Sequence, residues 1–422
     1  MLACIRCGLC LTSCPTYVLS MQEAEGPRGR VGMARALAEG HLEVSPSLIQ
    51  HELNCLVCDA CSAVCPAGVH MDPLQVVLRS ALDKDQRRAW SERVLRAVVF
   101  GWLFMNMGRF RQVARLLWLY QRLGVRWLAR HSGLLKLVRL DASERLLPDI
   151  ARKFVIARGE VYPPLNVSQP AADEAHSPAQ KSSQSAAFFA GCVMSTALAE
   201  VDRATIRVLQ RAGFSVTNPA RQGCCGALHA HGGDLLRAMQ LARANIAAFE
   251  GAAGPIVVNS AGCGAMLKDY AHHLHRDARW AERAQAFAAR VRDLSEVLAS
   301  QPPIGVQALN ARVVYQDACH LLHAQRISRQ PRGLLRRVGA DLVEIDEAGL
   351  CCGSAGVYNV TNPVQSRQLL DRKLGNALTP APDVIVTANP GCLLQLRSGL
   401  AERGSHVQVR HLAEVLDEAT TS

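Results

Sequence analysis

The chain has 422 residues, 49% hydrophobic and 20% charged, the balance of a folded protein with room for about three domains that each bury a core. Its net charge of +11 is local: residues 84–160 hold 17 Lys and Arg against 6 Asp and Glu, a surplus of 11 that leaves the rest near neutral. No nucleic-acid motif accompanies that stretch, no run of about eighteen apolar residues offers a membrane span, and the start lacks a signal peptide's basic and apolar regions. A cytoplasmic location is expected, with the basic segment meeting an acidic partner or making a peripheral contact on the inner face of the cell membrane.

Residues 1–80 carry half of the sixteen cysteines, which all fall into groups of four and so argue for metal sites over disulfides. Cys4-Ile-Arg-Cys7-Gly-Leu-Cys10-Leu-Thr-Ser-Cys14-Pro15 recurs as Cys55-Leu-Val-Cys58-Asp-Ala-Cys61-Ser-Ala-Val-Cys65-Pro66 with the same spacing. Such runs, closed by proline, hold two [4Fe-4S] clusters in bacterial ferredoxins, the fourth cysteine of each run serving the other cluster. One cluster is therefore assigned to Cys4, Cys7, Cys10 and Cys65, the other to Cys14, Cys55, Cys58 and Cys61. Zinc would suit separated CxxC pairs better, and disulfides suit secreted chains. Between the runs, Gly26-Pro27-Arg28-Gly29-Arg30 reads as a turn before a short helix from Val31 to Glu39. Arg28 and Arg30 either offset a cluster's negative charge or belong to a solvated turn.

Residues 81–160 read as a basic helical segment. Val94, Leu95, Val98 and Val99, then Val113, Leu116, Leu117 and Tyr120, then Leu134, Leu135 and Val138 recur at helical spacings with arginines between them. Trp90, Trp102, Trp118 and Trp127 also lie here. A basic, Trp-bearing amphipathic helix suits anionic lipid; packing against neighbouring domains explains the same stripe. Residues 161–186, rich in Pro, Ser and Ala without apolar periodicity, read as a linker.

Two related domains follow, over 187–305 and 306–422. Cys192, Cys224 and Cys225 recur as Cys319, Cys351 and Cys352 after 127 residues, and Cys263 recurs as Cys392 after 129. In each copy a strand (Phe188 to Gly191; Val313 to Tyr315) leads to the first cysteine. A helix (Val201 to Ala212; Gly333 to Val338), a Cys-Cys-Gly turn and a second strand (Pro255 to Asn259; Val384 to Thr387) come next. This alternation predicts α/β layers on mostly parallel sheets, with the cysteines at strand carboxyl ends. The expected fold class is α+β multidomain: an α-helical, bacterial-ferredoxin-like domain for two clusters, its helical extension, and the two α/β repeats.

The pattern resembles the cysteine-rich CCG domains of heterodisulfide reductases and of iron-sulfur subunits of flavin-linked dehydrogenases, and most closely the glycolate oxidase (glycolate dehydrogenase) iron-sulfur subunits. Both ferredoxin runs, Gly223-Cys-Cys-Gly-Ala227, Ser260-Ala-Gly-Cys-Gly-Ala265, Asp317-Ala-Cys-His-Leu-Leu-His-Ala-Gln325 and Cys351-Cys-Gly-Ser-Ala-Gly-Val-Tyr-Asn359 carry the resemblance. Two departures matter. Ser260 and Asn389 stand where members with a non-cubane cluster have a further cysteine, and Cys4 comes sooner than the resemblance implies, as if a lead-in were missing. Cys192, Cys224, Cys225 and Cys263, like Cys319, Cys351, Cys352 and Cys392, therefore stand as sites for a further iron-sulfur cluster, for zinc, or for neither.

His320 and His323 flank Cys319 as candidate orienting or packing residues, and His272, His273 and His275 read as a solvated helix face. Tyr358 and Asn359 read as structural. No dinucleotide fingerprint, P-loop or nucleophile elbow is visible. With no flavin site of its own, the chain reads as a non-catalytic electron carrier. The resemblance implies partner subunits that hold FAD and oxidise glycolate to glyoxylate, with a quinone-type acceptor downstream. An iron-sulfur subunit for lactate or glycerol 3-phosphate is the alternative, followed by a thiol/disulfide enzyme of the heterodisulfide reductase type.

Overall fold

The computed structural model describes residues 1–84, 89–133, 135, 144, 147–165, 184–302 and 308–420. At the N-terminus, two cysteine loops are braced by three helices, Pro27–Ala38, Pro46–Leu53 and Met71–Leu82. The helix expected from Val31 begins four residues earlier. Gly26 is its N-cap and Pro27 its first residue, where a missing N–H costs nothing because that donor is unpaired in any helix. Gly29 is required there, since a Cβ would lie 2.0 Å from the carbonyl oxygen of Glu23. Pro46 repeats the arrangement behind Ser45, whose hydroxyl accepts from the Leu48 N–H at 3.2 Å.

The basic segment is helical as expected, over Trp90–Arg96, a π-helical stretch Ala97–Leu103, Met107–Arg122 and Val125–His131. Only part of its apolar surface packs: Phe104, Met105, Met107 and Phe110 lie on the core of the first α/β domain. Trp90, Leu95, Leu116, Leu123, Trp127 and Leu128 are exposed. Leu134 and Val138 of the expected stripe lie outside the described residues. No described helix is long and apolar enough to cross a membrane.

Among the described residues, nine strands make two sheets. The first runs β1 (Glu160–Tyr162), β3 (Phe214–Asn218), β2 (Gln184–Phe189), β4 (Ile256–Val258), β5 (Val291–Asp293); the second runs β7 (Asp341–Val343), β6 (Arg312–Tyr315), β8 (Val384–Thr387), β9 (Gln408–His411). All pairings are parallel except β1 with β3. Without β1 the orders are the same, so the cysteine duplication is a duplication of topology. Both ends of the expected linker join the first sheet: Val161 and Tyr162 in β1, Gln184 to Ala186 in β2.

The two α/β domains share one hydrophobic core, with helix Ala199–Arg211 against the C-terminal helix Leu412–Ala419. Arg207 and Arg211 both pair with Asp417 across this seam, and the Ala261 N–H donates to the Ala388 carbonyl at 3.1 Å.

Candidate functional site

The N-terminal cysteines gather because the backbone between them turns left-handed at matched places. Arg6 and Gly8 have φ of 57° and 85°; Val57 and Asp59, at the same offsets in the second run, have 50° and 60°. A β-branched residue such as Val57 rarely adopts this conformation, so the loop stores strain where function demands a particular shape. The turn aims the Val57 N–H at the Cys55 sulfur, 3.4 Å away.

The sulfurs of the two runs crowd together, Cys4 and Cys61 both packing on the cluster of Val31, Cys55, Val57 and Met71. Burial raises the Cys10 thiol pKa, and the adjacent Cys4 and Cys65 add to it. Cys61 is likewise pushed well up, by burial first and then by neighbouring Cys55, Cys14, Asp59 and Cys10. Cys7 is exposed, whereas Cys14, Cys55 and Cys58 are buried. Cys14, Cys55, Cys58 and Cys61 line one small cavity with Arg30 and Met71. Four soft donors around a closed space, with a cation at its wall, fit an anionic iron-sulfur group.

The two arginines of the turn separate. Arg28 is on the surface, paired with Glu23. Arg30 is buried, donating to the Glu25 carboxylate at 2.7 Å, the Thr16 hydroxyl at 3.0 Å and the His51 carbonyl at 2.9 Å. The nearby Cys55 and Cys14 help to hold its charge against the cost of burial. A second buried cation was not legible in the sequence: Arg79 donates to the Cys55 carbonyl at 2.6 Å and the Glu52 carbonyl at 2.9 Å. One cysteine set thus has two guanidiniums beside it.

In each α/β domain the four expected cysteines converge at strand carboxyl ends. Cys192 follows β2 and Cys263 opens the helix Ala261–Lys268 after β4; Cys319 follows β6 and Cys392 opens Pro390–Glu402 after β8. Sulfur–sulfur distances are 3.7 Å for Cys192 with Cys224, 4.0 Å for Cys319 with Cys351 and 3.4 Å for Cys352 with Cys392. The Cys-Cys-Gly glycine is needed in both copies. Gly226 and Gly353 have φ of 89° and 83°, and a Cβ on Gly353 would stand 2.6 Å from the Ser366 carbonyl oxygen.

The two copies differ in charge. Asn245 braces the first set, its amide bonded to the Gly223 N–H at 2.8 Å and the Cys224 carbonyl at 2.9 Å. Beside the second set, Lys373 is fully buried, donating to the carbonyls of Glu347 and Ala348 at 2.8 and 2.7 Å. Burial pushes this ammonium's pKa down, while Cys352 and Cys392 pull it up.

The second set also adjoins the cluster module. His320 bonds through Nε2 to the Val57 carbonyl at 2.9 Å, so it bridges the modules; His323 bonds through Nε2 to the Gly349 carbonyl at 2.9 Å, within its own domain. His272 and His275 are exposed, but His273 departs from the expected solvated face: it is half-buried and held down at about 4 by desolvation. Tyr358 is buried, and Asn359 donates to Gln395 at 3.1 Å, both structural placements.

Family models match most of the chain: a 4Fe-4S dicluster domain at 3–69, the linker region of the glycolate oxidase iron-sulfur subunit at 91–147, and the cysteine-rich domain at 186–268 and 313–397. A probable glycolate oxidase iron-sulfur subunit of Bacillus subtilis is 38% identical, covering 99% of this chain and 94% of that one. The glycolate oxidase iron-sulfur subunit of Escherichia coli is 31% identical over 99% and 93%. The chain belongs to the glycolate oxidase iron-sulfur subunit family. Lactate utilization protein A of Geobacillus kaustophilus, at 32% identity, matches only 54% of this chain.

This member of the glycolate oxidase iron-sulfur subunit family uses Ser260 and Asn389 structurally. Ser260 is buried as the N-cap of Ala261–Lys268. Asn389 accepts from the Gly262 N–H at 3.1 Å, joining the two domains, and donates to the Cys392 sulfur at 3.6 Å.

Proposed function

We propose that the chain is the electron-transfer subunit of a flavin-linked 2-hydroxy-acid oxidoreductase complex, with glycolate as donor, glyoxylate as product and a quinone-type acceptor. Kinship with glycolate oxidase iron-sulfur subunits along the whole chain carries this reading. The lactate-utilization relatives match little more than half of it. Cys4, Cys7, Cys10 and Cys65 hold one [4Fe-4S] cluster and Cys14, Cys55, Cys58 and Cys61 the other; such groups supply one-electron storage at potentials set by their surroundings. The chain's own residues fix the thiolates, exclude water from the inner set and balance its charge with Arg30 and Arg79. FAD resides in partner subunits, which dock through the exposed apolar and basic helices of residues 90–131.

The test is anaerobic purification from the native cell. Flavoprotein subunits should copurify, the complex should be reduced by glycolate, and reversing charge at Arg111, Arg115 and Arg122 should release the partners. An isolated chain that oxidises glycolate unaided would refute the subunit assignment. About eight iron and eight sulfide per chain would confine clusters to residues 1–80; twelve or sixteen would extend them to the CCG sites.

A further inference from the structure

Among the described residues outside the cysteine sets, one group of side chains has the composition of a metal centre. A carboxylate oxygen of Asp72 and a ring nitrogen each of His231 and His320 lie within 4.8 Å of one another. Their sources are far apart in the chain. Asp72 opens the helix Met71–Leu82 of the cluster module, His231 ends the helix Ala227–His231 of the first α/β domain, and His320 follows Cys319 in the second. Three modules therefore meet at this point.

We propose that Asp72, His231 and His320 bind a divalent first-row cation of borderline hardness, of the zinc(II) or iron(II) kind, that fastens the three modules together. Two imidazoles and one carboxylate are a ligand set such ions accept.

Each ligand is held in place. His231 Nε2 stands 3.6 Å from Asp72 Oδ2, and its backbone carbonyl accepts from Arg79 at 2.8 Å. The two imidazoles stack with centroids 5.6 Å apart. His320 Nε2 lies 2.9 Å from the Val57 carbonyl, the kind of outer bond that orients a metal-ligating histidine and leaves its other nitrogen a lone pair.

A further carboxylate lies beside the group: Asp59 is buried and accepts from the Asp72 N–H at 3.3 Å. Arg79, the buried guanidinium bonded to the His231 carbonyl, is also engaged with other backbone carbonyls and Gln75. An ion has a way in, because His231 also lines an open cleft of about 1180 Å³ between the modules.

The test adds zinc(II) alone to the full-length, cluster-loaded chain after mild chelation, then measures bound metal, acid-labile sulfide and zinc-edge X-ray absorption. The expected result is one equivalent of zinc with a nitrogen/oxygen shell, lost in Asp72→Asn and His231→Ala while sulfide stays at the wild-type level. No bound zinc, a sulfur shell, or zinc retained in both variants would overturn the proposal. The absorption spectrum of the wild-type chain decides the matter if a variant fails to fold.

Discussion

Cys58 of the cluster module and Cys319 of the second α/β domain meet in a single buried cluster of side chains, together with Leu56, Ala60, Cys351, Tyr358 and Leu369. Cys319 is the largest charged influence on Cys58, adding to the burial that pushes its thiol well up. The Cys55 run and one CCG site are therefore electrostatic neighbours.

Cys14→Ser should disturb the cluster of the Cys55 run and spare that of the Cys4 run. Cys319→Ala should alter the same signal through proximity alone. EPR on the reduced chain separates the two clusters; a change confined to the Cys4 cluster in either variant would break the ligand pairing.

Arg30→Gln removes a buried cation from the wall of the inner cavity and should lower that cluster's reduction potential on the order of 50–100 mV, the effect of a unit charge at an effective dielectric near 20. Arg30→Lys should stay within about 30 mV of wild type while losing the forked bonds. A redox titration that finds the two variants alike would assign Arg30 a packing role only.

Two glycines should respond to alanine with opposite sign. Gly353→Ala forces a side chain into a left-handed backbone and against the Ser366 carbonyl, a cost of roughly 2–4 kcal/mol. Gly375 is exposed inside the helix Pro363–Leu378 with nothing within 4 Å of its missing Cβ, so Gly375→Ala should stabilise by about 0.5–1 kcal/mol. Denaturant melts of the two variants would check both signs.

His411 should make stability pH-dependent. Its Nδ1 accepts from the Ala413 N–H at 3.1 Å, so the proton sits on Nε2, which donates to the Asn259 carbonyl at 2.8 Å. Burial holds the imidazole down at about 4, below its unfolded value of about 6.5. Between those values only the unfolded chain takes up the proton. The contribution is therefore complete above about 6.5 and falls away towards 4, by roughly 3 kcal/mol. Asp293, raised to about 6 by burial, works in the opposite direction, so the His411→Asn difference curve is the measurement. That curve should be flat above about 6.5 and slope below it.

The sequence announced the cysteine groups and the duplicated α/β alternation because both rest on short-range spacing: CxxCxxCxxxC within a loop, and strand, helix and turn within each copy. It misplaced the start of the first helix, where Pro27 looks like a turn but occupies the one helical position that tolerates it. Arg79, Asp72 and His231 escaped notice because nothing local marks them. They acquire meaning only when residues about 150 apart in the chain are packed together, as with the Arg79 bond to the His231 carbonyl. Arg30 fell between, its neighbourhood legible but its burial not.

Exposure falls from open Cys7 to buried Cys14, Cys55 and Cys58, and Cys319 and Cys351 beyond them are buried as well. Oxygen damage should follow the same gradient. A chain parted from its complex would lose its outer cluster first and keep the inner one, so a half-loaded subunit in aerobic preparations would record lost company rather than faulty assembly.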